Sequence, residues 1–525
     1  MKKNNIMNTK YIWLLLILIS FSACNEPEDV LVDNNVLPEE ELPALVAGSA
    51  DFSNYVAIGA SYTAGMTDGA TFKAGQENSF PKMLSMEFAK VGGGDFVQPL
   101  VNDNFGGLAI GGNRVAPPRL VFGGAGPVPL ESVIGPVTVT TDITVNNPTG
   151  PFNNLGLMGS PKSFHFIAPG YGNIANLPMA NPYAIRLTGN TPNASLIDLA
   201  VNQNPTFFTL TFFSGNDALS YATSGGDGSE PLTDQATFDF AFNTAIQQLT
   251  ANGAKGIVTN MAFPEDLPYF TTVPNNALVL DAATAGQLTG FFQAVAGIFT
   301  QVLIAQMVPP AQAQAIASQY AITFNEGPNR WIIDVPVTLE NPLGFRQMTE
   351  DERLVLTIDQ GALAQGYGSV ALSNDVLQVL GLLQAGGTPT PEQGALVIGA
   401  VNGIDDSDVL DSDEIEALTN AIIGYNNTVE DFAASNENVA LLDLKSIFAD
   451  AIANGISFGD FTMTANLVTG GFFSLDGIHP TARGYSYLAF KYLETIDTHF
   501  GSNFVASGNI PNPGNFPTNY SPLLQ

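Results

Sequence analysis

Cysteine, histidine and positive charge are scarce in this 525-residue sequence. It contains one cysteine, three histidines and 17 lysine and arginine residues, against 49 aspartate and glutamate residues. A single cysteine excludes an intramolecular disulfide. The formal net charge of −32 repels phosphate groups, so we expect no nucleic-acid partner and no electrostatic docking onto anionic lipids. Hydrophobic residues make up 45% of the chain, which indicates a globular protein rather than a disordered one.

The N-terminal region has the pattern of a secretory signal. Three lysines precede the apolar run YIWLLLILISFSA, which ends just before Cys24. The run is too short for a comfortable membrane span, so we expect residues 1–23 to be a signal peptide. The preceding tripeptide, Phe21-Ser22-Ala23, resembles a bacterial lipobox with Phe in place of the usual Leu, which implies cleavage before Cys24 and lipidation of its thiol. The alternative is a free cysteine in an ordinary signal peptide.

The segment after the cysteine, residues 24–50, is acidic, contains prolines and shows no clear periodicity. We expect it to be a tether that holds a domain of residues 51–525 away from a membrane. The lipid anchor implies export across the inner membrane and attachment to the outer membrane of a Gram-negative bacterium, on its periplasmic or its surface face.

Four short apolar runs predict buried strands, at residues 54–61, 205–217, 254–263 and 438–448. Between the second and third runs, apolar residues at helical spacing predict a helix that Thr233 or Asp234 caps and that Asn252-Gly253 ends. Its predicted buried face consists of Phe238, Phe242, Ala245, Ile246 and Leu249. A strand, helix and strand of these lengths form a βαβ unit, so we expect an α/β fold with a mostly parallel sheet.

Two long regions do not fit a minimal α/β plan. Residues 97–150 are expected to be an insertion rich in loops and strands, and residues 275–432 a mostly helical one. Within the second, the acidic stretch at 405–418 is open to calcium binding, but it lacks the glycine of an EF-hand loop. A capped helix start, with Ser412-Asp413 followed by Glu416, is the plainer interpretation. A final helix follows Pro480, which we expect in its first turn.

One serine, one histidine and one aspartate carry the pattern of nucleophilic catalysis. Ser61 follows a predicted buried strand, where active groups of parallel sheets collect. A serine becomes a nucleophile when a base lies within hydrogen-bond reach and a carboxylate orients that base. Asp476 and His479, three residues apart in "DGIHP", can supply both groups. Thr63 excludes the G-x-S-x-G elbow of α/β-hydrolases.

Four blocks in chain order resemble those of the SGNH, or GDSL-like, esterases and lipases. Gly59-Ala60-Ser61 corresponds to the first block, "NLGLMG" (Asn154, Gly156 and Gly159) to the second, "SGND" to the third and "DGIHP" to the fourth. The resemblance implies a three-layer α/β/α, flavodoxin-like fold with insertions. It also implies catalysis by Ser61, His479 and Asp476 without metal or cofactor.

The resemblance further implies an oxyanion hole formed by the backbone N–H groups of Ser61 and Gly159 and the side-chain amide of Asn216. Two departures stand out: Ala60 replaces the usual acidic residue, and Ser214 replaces the first glycine of the third block. Lys162 and His165 follow the second block and are open to a substrate contact or a surface-loop role.

The sequence therefore predicts a lipid-anchored serine hydrolase acting on acyl esters. Apolar segments such as 464–475 favour a fatty-acyl chain. Two alternatives stay open: removal of acetyl groups from a carbohydrate, and a non-catalytic surface lipoprotein that binds lipid or glycan on a hydrolase scaffold.

Overall fold

The computed structural model describes residues 42–525. The predicted signal peptide, Cys24 and most of the tether lie outside the described residues. Leu45–Gln525 form one compact unit. The last residues of the predicted tether belong to this unit. Val46 N–H donates to Asn503 Oδ1 at 2.7 Å, and Ser49 N–H donates to the Phe500 carbonyl at 2.8 Å.

A five-stranded, all-parallel sheet lies at the centre of the unit, in an α/β arrangement with helices. Its strands are β1 (Tyr55–Gly59), β2 (Asn154–Gly156), β3 (Phe207–Thr211), β4 (Lys255–Thr259) and β5 (Val439–Leu442). Their order across the sheet is β5-β4-β3-β1-β2. Four of them fall inside the predicted apolar runs, which confirms those predictions. The sequence did not predict β2, since its three residues, "NLG", contain a single large apolar side chain.

The part of the chain that the structure describes contains eight helices of nine or more residues. They are α1 (Phe80–Phe88), α2 (Gly215–Thr223), α3 (Gln235–Thr250), α4 (Ala282–Ala305), α5 (Asn374–Gln384), α6 (Ser412–Ser435), α7 (Leu444–Asn454) and α8 (Ala482–Phe500). The predicted βαβ helix is α3. Asp234 caps its start by accepting from Thr237 N–H at 3.0 Å, and the five apolar residues predicted for its inner face are all buried.

Two predicted helix starts were wrong. Helix α8 does not include Pro480, because Thr481 is the cap and accepts from Gly484 N–H at 3.0 Å. Helix α6 is capped by Asp411, which forms a reciprocal capping box with Glu414 rather than the predicted pair with Glu416. The hydroxyl of Ser412 donates to Glu352 Oε1 at 3.0 Å, so it is engaged elsewhere.

Shorter elements fill the two predicted insertions and the loops. The shorter helices are Ser61–Ala64, Lys73–Glu77, Glu131–Ile134, Ser163–Ile167, Pro182–Thr188, Leu196–Val201, Pro268–Thr271, Pro310–Ala317, Gln360–Leu363 and Pro391–Ile398. Residues 97–150 contain two antiparallel pairs, Leu108–Ile110 with Asn113–Ala116 and Leu120–Phe122 with Pro127–Pro129. The 275–432 region combines helices with strand pairs that the sequence did not predict: Leu278–Leu280 with Gly327–Asn329, Ile332–Asp334 with Phe345–Gln347, Arg353–Leu354 with Val409–Leu410 and Ser369–Val370 with Val401–Asn402. A further pair, Ile456–Phe458 with Phe461–Met463, precedes α8.

Helix α4 is the one helix in residues 42–525 that is long and apolar enough to cross a membrane. In the structure it belongs to a hydrophobic core of its own, separate from the core around the sheet. Its buried side includes Leu288, Phe291, Phe292 and Val295.

Candidate active site

The predicted site residues follow the carboxyl ends of three neighbouring strands. Ser61 follows β1, Gly159 follows β2, and Asn216 follows β3. The strand order reverses between β1 and β3, because β2 lies beyond β1 while β4 and β5 lie beyond β3. Ligands of open parallel sheets bind at such a reversal point. His479 reaches this point from the loop that leads into α8.

Ser61, His479 and Asp476 form a continuous chain of hydrogen bonds. His479 Nε2 lies 2.8 Å from Ser61 Oγ, and His479 Nδ1 lies 2.9 Å from Asp476 Oδ2. His479 is buried and Ser61 is partly exposed. The ring can therefore take a proton from the serine hydroxyl while the carboxylate holds the proton on its other nitrogen.

The Asp476 carboxylate is held as an anion. Burial alone would raise its pKa, but His479 and the backbone N–H groups of His479 and Ile478 outweigh burial and lower the pKa to about 2. Those two N–H groups donate to Oδ1 at 2.8 and 2.9 Å, and Gly69 N–H donates to Oδ2 at 2.8 Å. The carboxylate therefore stays charged at neutral pH and in a fixed orientation.

A second aspartate, Asp68, stands behind the first. It accepts from Leu475 N–H at 3.2 Å, and its own N–H donates to Ser474 Oγ at 2.9 Å. Burial raises the pKa of Asp68 to about 7, aided by the charge of Asp476 and opposed by Leu475 N–H and Arg119. Sequence reasoning missed this residue, although Asp68-Gly69 is a turn signal.

Three residues that line one cleft, Ser61, Gly159 and Asn216, carry N–H groups without a full set of acceptors among the described residues. Within residues 42–525, neither the backbone N–H of Ser61 nor that of Gly159 donates to a protein acceptor. Asn216 Nδ2 donates one hydrogen to the Pro161 carbonyl at 3.0 Å and has no second acceptor in the described part of the chain. Gly159 has φ +78°, a conformation that favours glycine. These groups can donate to an oxyanion.

The second block holds the serine in position. Asn154 Nδ2 donates to the Thr63 carbonyl at 2.9 Å, and Asn154 Oδ1 accepts from Gly156 N–H at 2.9 Å. A Cβ atom at Gly156 would lie 2.1 Å from Ala64 N. Only glycine therefore lets β2 approach the short helix Ser61–Ala64 this closely.

The aspartate of the third block, Asp217, ties the Gly159 loop to α2. Its carboxylate accepts from the backbone N–H and the hydroxyl of Ser163, both at 2.8 Å. Because Asn216 is the neighbouring residue, this contact fixes the distance between two of the three donors.

Three cavities meet at the triad. The donor cleft, about 600 Å³, is lined by Ser61, Gly159, Asn216 and His479. The apolar cavity, about 1110 Å³, is bordered by Asp476 and His479, and its walls include Leu120, Val273, Trp331, Leu356 and residues 467–469. The Ser61 pit, about 40 Å³, adjoins Ser61 and Asn216 and is closed by Ala60, Tyr62, Met261 and Phe448.

The two polar residues after the second block lie elsewhere. Lys162 pairs with Glu230 at 3.2 Å and donates to the Pro231 carbonyl at 2.8 Å. His165 stacks on Tyr171, and burial with the charge of Lys162 lowers the pKa of His165 to about 4. Neither residue lines the cavities that adjoin Ser61.

The described residues contain no group of three or more His, Cys, Asp or Glu side chains that could hold a metal ion.

Three comparisons with known proteins, by family models, by curated sequences and by solved structures, found no match.

Proposed function

We propose that this protein is a serine hydrolase that cleaves carboxylic esters. The observation that carries the proposal is the hydrogen-bonded chain Ser61–His479–Asp476 beside a cleft that is lined by Ser61, Gly159 and Asn216, which carry three N–H donors. A nucleophile, a base, an orienting carboxylate and oxyanion donors are the complete set of groups that acyl transfer requires.

In the first half-reaction, Ser61 Oγ attacks the ester carbonyl carbon while His479 Nε2 takes its proton. The carbonyl oxygen becomes an oxyanion and accepts from the N–H groups of Ser61, Gly159 and Asn216. Asp476 stabilises the positive imidazolium ring that forms. As the carbon–oxygen bond to the alcohol breaks, His479 returns the proton to the leaving oxygen.

In the second half-reaction, water attacks the acyl group bound to Ser61. His479 takes a proton from this water, and the same donors hold the second oxyanion. Collapse releases a carboxylic acid, and His479 returns the proton to Ser61 Oγ. The serine is regenerated for another cycle.

We further propose that the fold is the three-layer α/β/α, flavodoxin-like arrangement of the SGNH hydrolases. The strand order β2-β1-β3-β4-β5 supports it, since this is the flavodoxin-like order. Helices α3 and α6 pack together, and α1 and α8 pack together, as expected for two separate helical layers. The four blocks in chain order support the same assignment.

Hydrolysis of p-nitrophenyl esters by the full-length chain tests the activity. We expect turnover by the wild type and a loss of several orders of magnitude in Ser61→Ala. Ser214→Ala is a matched control, because Ser214 is a buried serine near the site whose hydroxyl makes no hydrogen bond in the described structure. A wild type without turnover would favour the binding-protein alternative. Equal turnover in Ser61→Ala would place the nucleophile elsewhere.

We also propose that the protein is anchored through lipid on Cys24 and exported to the outer membrane. Metabolic labelling with an alkyne fatty acid should tag the wild type and not Cys24→Ser, and the variant should leave the membrane fraction. An unlabelled wild type would contradict the anchor without bearing on the esterase chemistry.

A further inference from the structure

The Ser61 pit is a small apolar pocket directly behind the nucleophile. Its walls include Ala60, Phe212, Met261 and Phe448, all of them buried. Ala60 stands where an acidic residue is usual in the first block. A carboxylate at this position would put a charge into the pit wall. With alanine there, the pit suits an apolar group.

The order of proton transfers determines which cavity binds the acyl part of an ester and which binds the alcohol part. This inference therefore rests on the proposed function. The leaving oxygen must lie within reach of His479 Nε2, because this nitrogen returns the proton. The oxyanion must face Gly159 and Asn216. The acyl group takes the remaining direction from the carbon bound to Ser61 Oγ.

The three cavities differ in which of the site residues Ser61, Asn216 and His479 line them. The apolar cavity is bordered by His479 but not by Ser61, and the Ser61 pit is bordered by Ser61 and Asn216 but not by His479. The donor cleft touches all of them. The alcohol part of the ester leaves next to His479, so it would extend into the apolar cavity. The acyl part would extend into the Ser61 pit.

The size of the pit limits the acyl group. A site needs about 10–15 Å³ of free space to hold one water molecule. The pit, at about 40 Å³, is therefore small and has room for a short chain beyond the carbonyl carbon. An acetyl, propanoyl or butanoyl group fits inside the pit, whereas an octanoyl group would have to extend out of it. The apolar cavity, at about 1110 Å³, has room for a large alcohol.

We propose that the substrate is a short-chain acyl ester, of two to four acyl carbons, whose acyl group enters the Ser61 pit and whose bulky alcohol lies in the apolar cavity. The ester bond to the alcohol breaks, the acyl group forms an ester with Ser61, and the alcohol leaves with the proton from His479. This assignment differs from the fatty-acyl chain that the apolar segment 464–475 favours. Residues of that segment line the alcohol side of the site.

The test compares p-nitrophenyl acetate, butanoate, octanoate and dodecanoate with the full-length chain. We expect kcat/KM for acetate and butanoate to exceed that for octanoate by roughly tenfold or more, since a misfitting methylene in an apolar pocket costs about that factor. Met261→Ala enlarges the pit and should raise the octanoate-to-acetate ratio by about tenfold. The hydrogen bonds of Met261 to Asn426 use its backbone N–H and carbonyl, so the substitution preserves them.

Leu356→Ala is the matched variant on the wall of the apolar cavity. It should leave the octanoate-to-acetate ratio unchanged and raise KM for 2-naphthyl acetate more than for ethyl acetate. A wild type that prefers octanoate or dodecanoate overturns the inference and leaves the esterase proposal intact. The same holds if Leu356→Ala, and not Met261→Ala, changes the octanoate-to-acetate ratio. Absence of turnover with every ester overturns both. The wild-type profile decides the matter even where a variant does not fold.

Discussion

Tyr62 and Ile478 join the nucleophile segment to the histidine loop through one hydrogen bond. The Tyr62 hydroxyl donates to the Ile478 carbonyl at 2.5 Å, and both residues are direct neighbours of triad members. The bond therefore fixes the distance over which the proton moves between Ser61 and His479. Sequence reasoning did not identify Tyr62, because a tyrosine after a serine carries no distinctive signal.

Tyr62→Phe should lower kcat by roughly three- to tenfold with a small change in KM, as expected for the loss of one hydrogen bond. Steady-state kinetics with a short-chain ester measures the effect. Tyr55→Phe is the control, because Tyr55 is also buried and its hydroxyl bonds to Thr209 Oγ1 at 2.9 Å within the sheet. A fall in kcat of the same size in both variants would mean that Tyr62 acts through stability alone.

Asn216→Ala should lower kcat by about 10²–10³-fold and change KM little, because the amide strengthens its bond only as the oxyanion forms. The substitution also removes the donor to the Pro161 carbonyl. Thermal unfolding should be measured alongside the kinetics. A normal kcat in a folded variant would exclude Asn216 from the oxyanion hole.

Asp476→Asn should lower kcat by about 10⁴-fold, since an amide no longer holds the reactive tautomer of His479. The pKa of Asp476 is about 2, below its ordinary value of 3.8. Its contribution to stability is therefore present above pH 4 and lost as the pH falls towards 2. Thermal unfolding from pH 2 to pH 6 should show wild type losing its advantage over the variant across this range. A constant difference would contradict the assignment.

Asp68→Asn should make stability less dependent on pH. The pKa of Asp68 is raised to about 7, so the folded state binds a proton that the unfolded state releases near pH 4. Wild type therefore loses stability between pH 4 and pH 7 through this group, and the neutral amide does not. The difference in melting temperature, variant minus wild type, should increase from pH 4 to pH 7 and stay constant above pH 7. The difference should not depend on pH if Asp68 is ionised throughout.

The sequence predicts contacts between residues that are close in the chain better than contacts between residues that are far apart in it. Asp476 and His479 are three residues apart, so their contact could be expected from the turn between them. Helix α3 was predictable because its apolar residues, from Phe238 to Leu249, repeat at helical spacing over about three turns. Strand β2 was not, since its three residues have no periodicity. The caps of α6 and α8 were misplaced by one or two residues, because neighbouring side chains could serve equally well until tertiary contacts engaged one of them.

The surroundings of the triad depend on contacts far apart in the chain. Asp68 and Gly69 meet Leu475 and Asp476 across some 400 residues, a contact that no local pattern reveals. The three cavities likewise draw their walls from separate segments. The sequence therefore predicted which groups could react and not the space available to a substrate.

The walls of the apolar cavity come largely from a hairpin near Leu120, the loop around Val273 and the turn near Leu356, none of which belongs to the central sheet. The reacting groups, in contrast, stand on the strand ends and on the loop before α8. Under the proposed function, replacement or lengthening of these peripheral segments would change which alcohols fit while the proton path stays intact. Such a division gives a descendant of this protein a route to new substrates by mutation at the periphery alone.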